Sequence, residues 1–210
     1  MVYQRLKEDI NTGILEQGER IVAREIAKQF GVSDIPVREA LKKLESEGLV
    51  ENIPHVGSRV STINIQTAEE VFTIRLELES FATRLAAKNA TDEGIDELQK
   101  IVDEIENTIP KGNIKEISRL NTEFHQKLYQ LSKNATLCEM IFSLMEKSQF
   151  SRAVFSYLPD RKDHSNKEHQ LIVDALRQRN AEQAERALRT QKEYSFAALL
   201  NILAQDTKKI

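Results

Sequence analysis

Polar residues set into apolar helix faces are the first sign of chemistry in this sequence. Asn121 and His125 lie one turn apart in the stripe Ile114, Ile117, Asn121, Phe124, His125, Leu128, Leu131, so they point the same way from one helix. His169 shares a face with Ile172, Val173 and Leu176, and Gln191 lies among Ala184, Ala187, Leu188, Tyr194, Ser195 and Ala198. Three helices thus direct imidazole or carboxamide groups towards one interior. Burying such groups unpartnered costs roughly 1–3 kcal/mol each, so they must meet one another, water, a metal or a ligand. A satisfied hydrogen-bond network in a closed core is the plainest of these readings. His164 sits in the polar run Arg161–Asn166 and is expected on the surface.

A second set is basic. Arg38 and Lys42 are one turn apart on the outer side of a short amphipathic helix, Arg24 opens the helix before it, and His55 and Arg59 flank a Gly-containing turn. Basic side chains at the start of a helix lying in a DNA groove reach guanine edges or phosphates; the other reading is solvated surface charge. Net charge gives no help, because residues 1–65 carry nine Lys/Arg and ten Asp/Glu, and the whole chain is at −3. Any DNA contact must come from charges sorted onto one face.

The elements that position both sets follow from periodicity. Residues 2–12 read as a helix with Tyr3, Leu6, Lys7 and Ile10 in step, stopped by Gly13. A second helix covers 23–30, Gly31-Val32-Ser33 breaks it, and a third starts near Ser33 as N-cap and ends at Gly48, with Val37, Ala40, Leu41 and Leu44 inward. Residues 49–52 and 59–62 are short β-prone runs around Pro54-His55-Val56-Gly57, a hairpin wing. Two short helices joined by a three-residue turn and followed by a hairpin predict a winged helix-turn-helix over residues 1–64. Thr62–Gln66 reads as a linker, with a capping box at Thr67–Glu70. Behind it, helices near 67–89, 91–109, 113–132, 134–157, 162–179 and 180–205 predict an all-α antiparallel bundle over 67–206. Its first helix is expected to turn Val71, Ile74, Leu78, Ala82 and Leu85 inward. The fold class is therefore mostly α. Five of the seven glycines precede residue 60, which agrees with a turn-rich front and a long helical back.

The chain resembles a known family at specific strings. GILEQGERIVAREIAKQF, GVSDIPVREALKKLESEGLVE and HVGSRV are similar to the winged helix-turn-helix of GntR-superfamily transcription regulators. The strings IRLELESFATRLAA, LNTEFHQKLYQLSKNATL and KEHQLIVDALRQRNAEQAERALRTQ resemble the FCD effector domain of the FadR-like branch. The first resemblance implies DNA contact by Arg24, Ser33, Asp34, Arg38, Lys42, His55, Gly57 and Arg59. Asp34 departs from members with Arg or Thr there; an acid repels phosphate but accepts from a cytosine amino group. The second implies an effector site at Arg75, Asn121, His125, His169 and Gln191, with Asn121, His125 and His169 as metal ligands. Gln191 stands at the position of a third His, and Asn121 at one shared by Asp and Asn. Imidazoles suit Zn, Ni or Cu, while carboxamide oxygens are weak, uncharged ligands. Such a set holds a divalent metal (Zn, Ni or Mn) less tightly than three His and a carboxylate. The rival form is a metal-free polar pocket gripping an organic acid. In either form Arg75 serves as a bidentate carboxylate partner, or else closes an ion pair with Glu77, Glu79 or another acid.

What these features imply together is a ligand-responsive, sequence-specific DNA-binding transcription regulator: a homodimer on a pseudo-palindromic operator, repressing until a small carboxylate metabolite binds. The alternatives are a regulator whose bundle is only a dimerisation scaffold and a helical metal-dependent enzyme with His125 and His169 at its centre. Against the enzyme, no acid falls in the inner stripes beside the histidines to act as general base, since Glu123 and Glu168 should point off the shared face. One cysteine, Cys138, the lack of an apolar run near ~18 residues and the polar start of the chain lead to the expectation of a cytoplasmic protein without membrane contact.

Overall fold

The computed structural model describes residues 1–11, 14–54, 56–62, 65–147 and 161–206. The chain divides into two compact units, Met1–Asn64 and Ile65–Ile210.

The first unit is built from α1 (Val2–Asn11), β1 (Arg20–Ile21), α2 (Ala23–Phe30), α3 (Asp34–Ser46), β2 (Val50–Ile53) and β3 (Gly57–Val60). Leu6, Ile21, Ala27, Val37, Leu41, Leu44, Leu49, Val50 and Val60 close its core. The turn between α2 and α3 rests on Gly31, which adopts φ +67 while the Val32 amide reaches back to the Ala27 carbonyl at 3.0 Å. A left-handed residue there is what glycine supplies without a Cβ penalty. The predicted stop at Gly13 lies outside the described residues. The strands form an antiparallel sheet in the order β1-β3-β2, with Arg20 opposite Arg59 on one side of β3 and Glu51 opposite Arg59 on the other. The sequence reading gave a two-stranded wing; β1, two residues long, is too short to show alternation.

The second unit contains α4 (Ile65–Asn89), α5 (Asp92–Thr108), a 3-10 turn (Ile109–Lys111), α6 (Ile114–Gln130), α7 (Ala135–Lys147), α8 (Arg161–Arg177) and α9 (Ala181–Asp206). Its caps are local and legible: Thr91 accepts from the Gly94 amide at 3.1 Å, Asn134 from Leu137 at 3.1 Å and Asn180 from Gln183 at 3.0 Å. The expected capping-box start at Thr67 is displaced: α4 already begins at Ile65, so Thr67 lies within the helix. The core runs through Ala82, Leu98, Ile105, Leu120, Phe124, Leu128, Ile141, Ile172, Leu176 and Leu188. Two expected core residues face outwards. On α4 the inward face includes Arg75 and Glu79, which leaves Ile74 at 52% exposure; on α9 Tyr194 is 59% exposed and lies against the Arg161 guanidinium. The predicted break at 157–160 lies outside the described residues. No described helix is long and apolar enough to cross a membrane.

Candidate functional site

The two units carry different sites. In the first, Arg38 and Lys42 stand exposed on α3 and, with Arg20, Asn52 and Ser58 from the three strands, line a groove of about 310 Å³ between helix and wing. Arg20, Asn52 and Ser58 were not anticipated, and Arg20 enters only because β1 pairs with β3. Ser33 holds the N-cap backbone geometry of α3 but makes no side-chain cap bond. Asp34, in the first turn, sits 3.6 Å from the Arg24 guanidinium in an exposed pair. Arg59 is engaged differently from the reading as a free wing charge: its Nε donates to Glu51 Oε1 at 3.0 Å, because the register sets these two residues opposite each other. Gly57 opens β3 at φ +102. His55 lies outside the described residues. Whatever its partner, this groove presents cationic guanidinium and ammonium groups to an open surface.

In the second unit the chemistry is internal. His125 on α6 and His169 on α8 are both buried, with their Nε2 atoms 3.4 Å apart. Phe124 packs against the His169 ring at 4.1 Å between centroids. The Nδ1 of His125 lies 3.4 Å from the Tyr129 hydroxyl, which donates to Glu79 Oε2 at 2.6 Å. Since that short bond uses the phenolic proton, the His125 contact is favourable when Nδ1 carries a hydrogen. The bare Nε2 of His125 then accepts from His169 Nε2–H, and His169 Nδ1 is left as an acceptor. It is buried without a partner among the described residues. Glu79 also binds Arg75, 2.7 Å away and one turn earlier, and Lys192 Nζ at 3.1 Å. Arg75 is therefore in the ion pair that was one of its two readings.

Glu79 adds an acid to this interior, although it touches neither histidine directly. It is 1% exposed and joins them through Tyr129. Burial alone would raise its carboxyl, but the charges of Arg75 and Lys192 and the Tyr129 hydrogen bond hold it at about 2. The imidazoles move the other way. Burial, then the Lys192 and His169 charges and that of Arg75, pushes His125 well below the usual histidine value. Burial with Lys192 and Arg161 brings His169 to about 3. Both rings are neutral at pH 7.

The remaining polar groups form a second patch between α8 and α9. Gln191 turns its amide onto the Ser165 carbonyl at 3.3 Å, and its Oε1 has no partner among the described residues. Arg161, 4% exposed, donates to Ser195 Oγ at 3.1 Å and pairs with Glu168, while its Nη1 is unmatched among the described residues. Asn166 donates to the Val102 carbonyl at 3.2 Å. His164 is exposed. Asn121, half-buried, shares the face of His125 one turn away and bonds neither histidine.

As a metal centre this set fits poorly. Among the described residues no group of three or more His, Cys, Asp and Glu side chains is placed to hold an ion. Among the described residues the acid that joins the histidine network is Glu79, and it is already bound by two cations and a hydroxyl. What the arrangement offers is hydrogen bonding from neutral imidazoles and amides beside buried positive charge.

Comparison with known proteins covers both units. The model for bacterial regulatory proteins of the gntR family matches residues 1–60, and that for the FCD domain matches 70–191. The chain is 33% identical over 184 residues to the uncharacterized HTH-type transcriptional regulator YdhC of Bacillus subtilis, covering 87% of this chain and 82% of that protein. It is 31% identical to the HTH-type transcriptional repressor NanR of Salmonella newport, over 100% of this chain and 88% of the other. Among solved structures, E. coli McbR/YncC superposes with a TM-score of 0.75 at 27% identity over 96% of each chain.

Proposed function

This chain belongs to the gntR family of bacterial regulatory proteins and carries an FCD domain, and from that premise we propose a homodimeric repressor released from its operator by a small organic acid bound in the bundle. It is a ligand-responsive DNA-binding regulator of transcription and not an enzyme. The histidine pair accordingly serves recognition, not turnover.

The observation that carries the reading is the groove between α3 and the wing, where Arg38 and Lys42 stand free of ion pairs among the described residues while other basic groups, such as Lys7 and Arg59, are tied to Glu47 and Glu51. Arg38, nearest the start of α3, reads base edges, and Lys42 one turn later meets phosphate. Ser33, Asp34 and Arg24 cluster at the entry of the same helix, and His55 and Gly57 belong to the wing. A homodimer presents two such heads to a pseudo-palindromic operator. Ile74 and Phe81, exposed seven residues apart on α4, provide apolar surface of the kind a second copy covers. The repressor sense agrees with the printed description of NanR. The effector site includes Arg75, Asn121, His125, His169 and Gln191, and the buried His169 Nδ1 and Gln191 Oε1, without a partner among the described residues, favour a ligand over a closed scaffold. Regulation follows if the ligand prefers one of two bundle states. The protein acts in the cytoplasm, where its operator is.

Arg38→Ala is expected to weaken binding to an operator fragment by about 1–3 kcal/mol, roughly ten- to a hundredfold, with the helical circular dichroism unchanged. Wild-type affinity of the variant in a gel-shift titration would remove α3 from the interface.

A further inference from the structure

We infer that the Lys192 ammonium fills the charge role a divalent ion would have in this bundle, so that the site is built to work without metal. This rests on the reading of the bundle as an effector site. Arg75 and Lys192 both meet Glu79 within hydrogen-bond distance, so two cations share this one carboxylate. Tyr129 spends its proton on the same carboxylate and ties His125 to it. Each link of the line from Lys192 to Glu79, Tyr129, His125 and His169 is a direct contact, the two outer ones at 3.1 Å and 3.4 Å.

A dication between the imidazoles would lie close to those two cations, and the acid of this network among the described residues, Glu79, is already shared by them. Such an ion would also require the His169 proton to move from Nε2 to Nδ1, breaking the hydrogen bond that His125 accepts. Gln191 stands next to Lys192 in the chain but turns its amide hydrogens onto Ser165. Asn121 adds at most a neutral oxygen. Among the described residues the site thus lacks the free anionic ligand that metals favour and holds an internal cation, Lys192, beside it. An anionic ligand entering such a site meets an ammonium and a guanidinium, and Glu79 is the group it must share them with.

The test uses zinc alone, on the full-length protein. After exposure to excess zinc and dialysis, the wild type is expected to retain a substoichiometric amount, and zinc should not raise its thermal midpoint. Asn121→Asp with Gln191→His should bind weakly while Lys192 is kept. Adding Lys192→Met to that pair should tighten zinc binding by about a hundredfold, the scale on which a metal site's surroundings act. Lys192→Gln, which still donates to Glu79, serves as a second version should the methionine variant unfold. Stoichiometric zinc in the wild type, lost in His169→Ala, would overturn the inference. So would equal zinc affinity with and without Lys192. Operator binding measured on the same preparations is independent of the metal outcome, so a failure here and a failure of the regulator reading are told apart.

Discussion

The two units use similar charged residues in opposite ways. In the first unit, Arg20, Arg38 and Lys42 stand at the surface around a groove. In the second, Arg75 and Glu79 are 4% and 1% exposed and Lys192 is largely covered. Exposed charges lose little solvation and gain little from intramolecular partners, so their value lies in an external polyanion and is set by salt. Buried charges depend on each other, because each one without its partner is costly. The same residue types thus specify a partner in one place and an interior in the other, and burial decides which.

The sharpest way to break this contrast is to remove the carboxylate at the centre of the bundle. Glu79→Ala leaves Arg75 and Lys192 facing each other and is expected to destabilise the second unit by about 3–5 kcal/mol, measured by urea unfolding followed by far-ultraviolet circular dichroism. A loss below about 1 kcal/mol would mean that the cations find other partners or water. Next comes the hydroxyl between acid and imidazole. Tyr129→Phe should cost about 1–2 kcal/mol in the same assay, since it deletes one donor to a charged acceptor.

Acid should act on the same unit. His125 and His169 have folded values below the ordinary 6.5, so the unfolded chain binds more protons between the two. Stability from keeping them neutral is complete above about pH 6.5 and is lost as pH falls below it. The contribution of Glu79, held at about 2, stays intact until pH drops below its ordinary 4.5. Between pH 7 and 5 the bundle's thermal midpoint should therefore fall through its histidines; His125→Asn with His169→Asn should flatten that dependence, and a dependence that persists would place its origin elsewhere.

On the surface the effects are smaller. Lys42→Ala should weaken operator and non-operator DNA alike and lower the slope of log affinity against log salt by about one. A sequence-dependent loss would instead assign Lys42 to base reading. Smallest of all, Glu51→Ala should change folding stability by at most about 0.5 kcal/mol, because its pair with Arg59 is half-exposed.

Much of the fold was legible because it is local. Thr91, Asn134 and Asn180 cap helices through contacts three residues away, and Gly31 turns the chain where the helix-turn-helix needs it. Asn121, His125, His169 and Gln191 could be found because a polar residue interrupts an apolar period. Glu79 was legible only as a neighbour of Arg75 and Lys192 not at all, because acids and lysines on a helix normally mark its outer face, and the contacts of Glu79 with Tyr129 and Lys192 span 50 and 113 positions of the chain. Arg161, Ser165 and Asn166 escaped notice within a polar run, although helical spacing separates them from exposed His164. Ile74 was misplaced by the same logic in reverse: α4 turns an ion pair inward and an isoleucine outward. Periodicity reports the average character of a face and is silent about pairs made across the bundle.

The strand order has a mechanical consequence. β3 lies between β1 and β2, and the Val60 amide and carbonyl bond Glu19 and Gly18 at 2.9 Å and 3.0 Å. The next residue, Ser61, bonds the Leu49 carbonyl at 3.0 Å just before the chain leaves the first unit. The chain therefore leaves the first unit from a strand paired on both flanks, so a load along the axis of β3 falls on two ladders of hydrogen bonds together, where an edge strand would bear it on one.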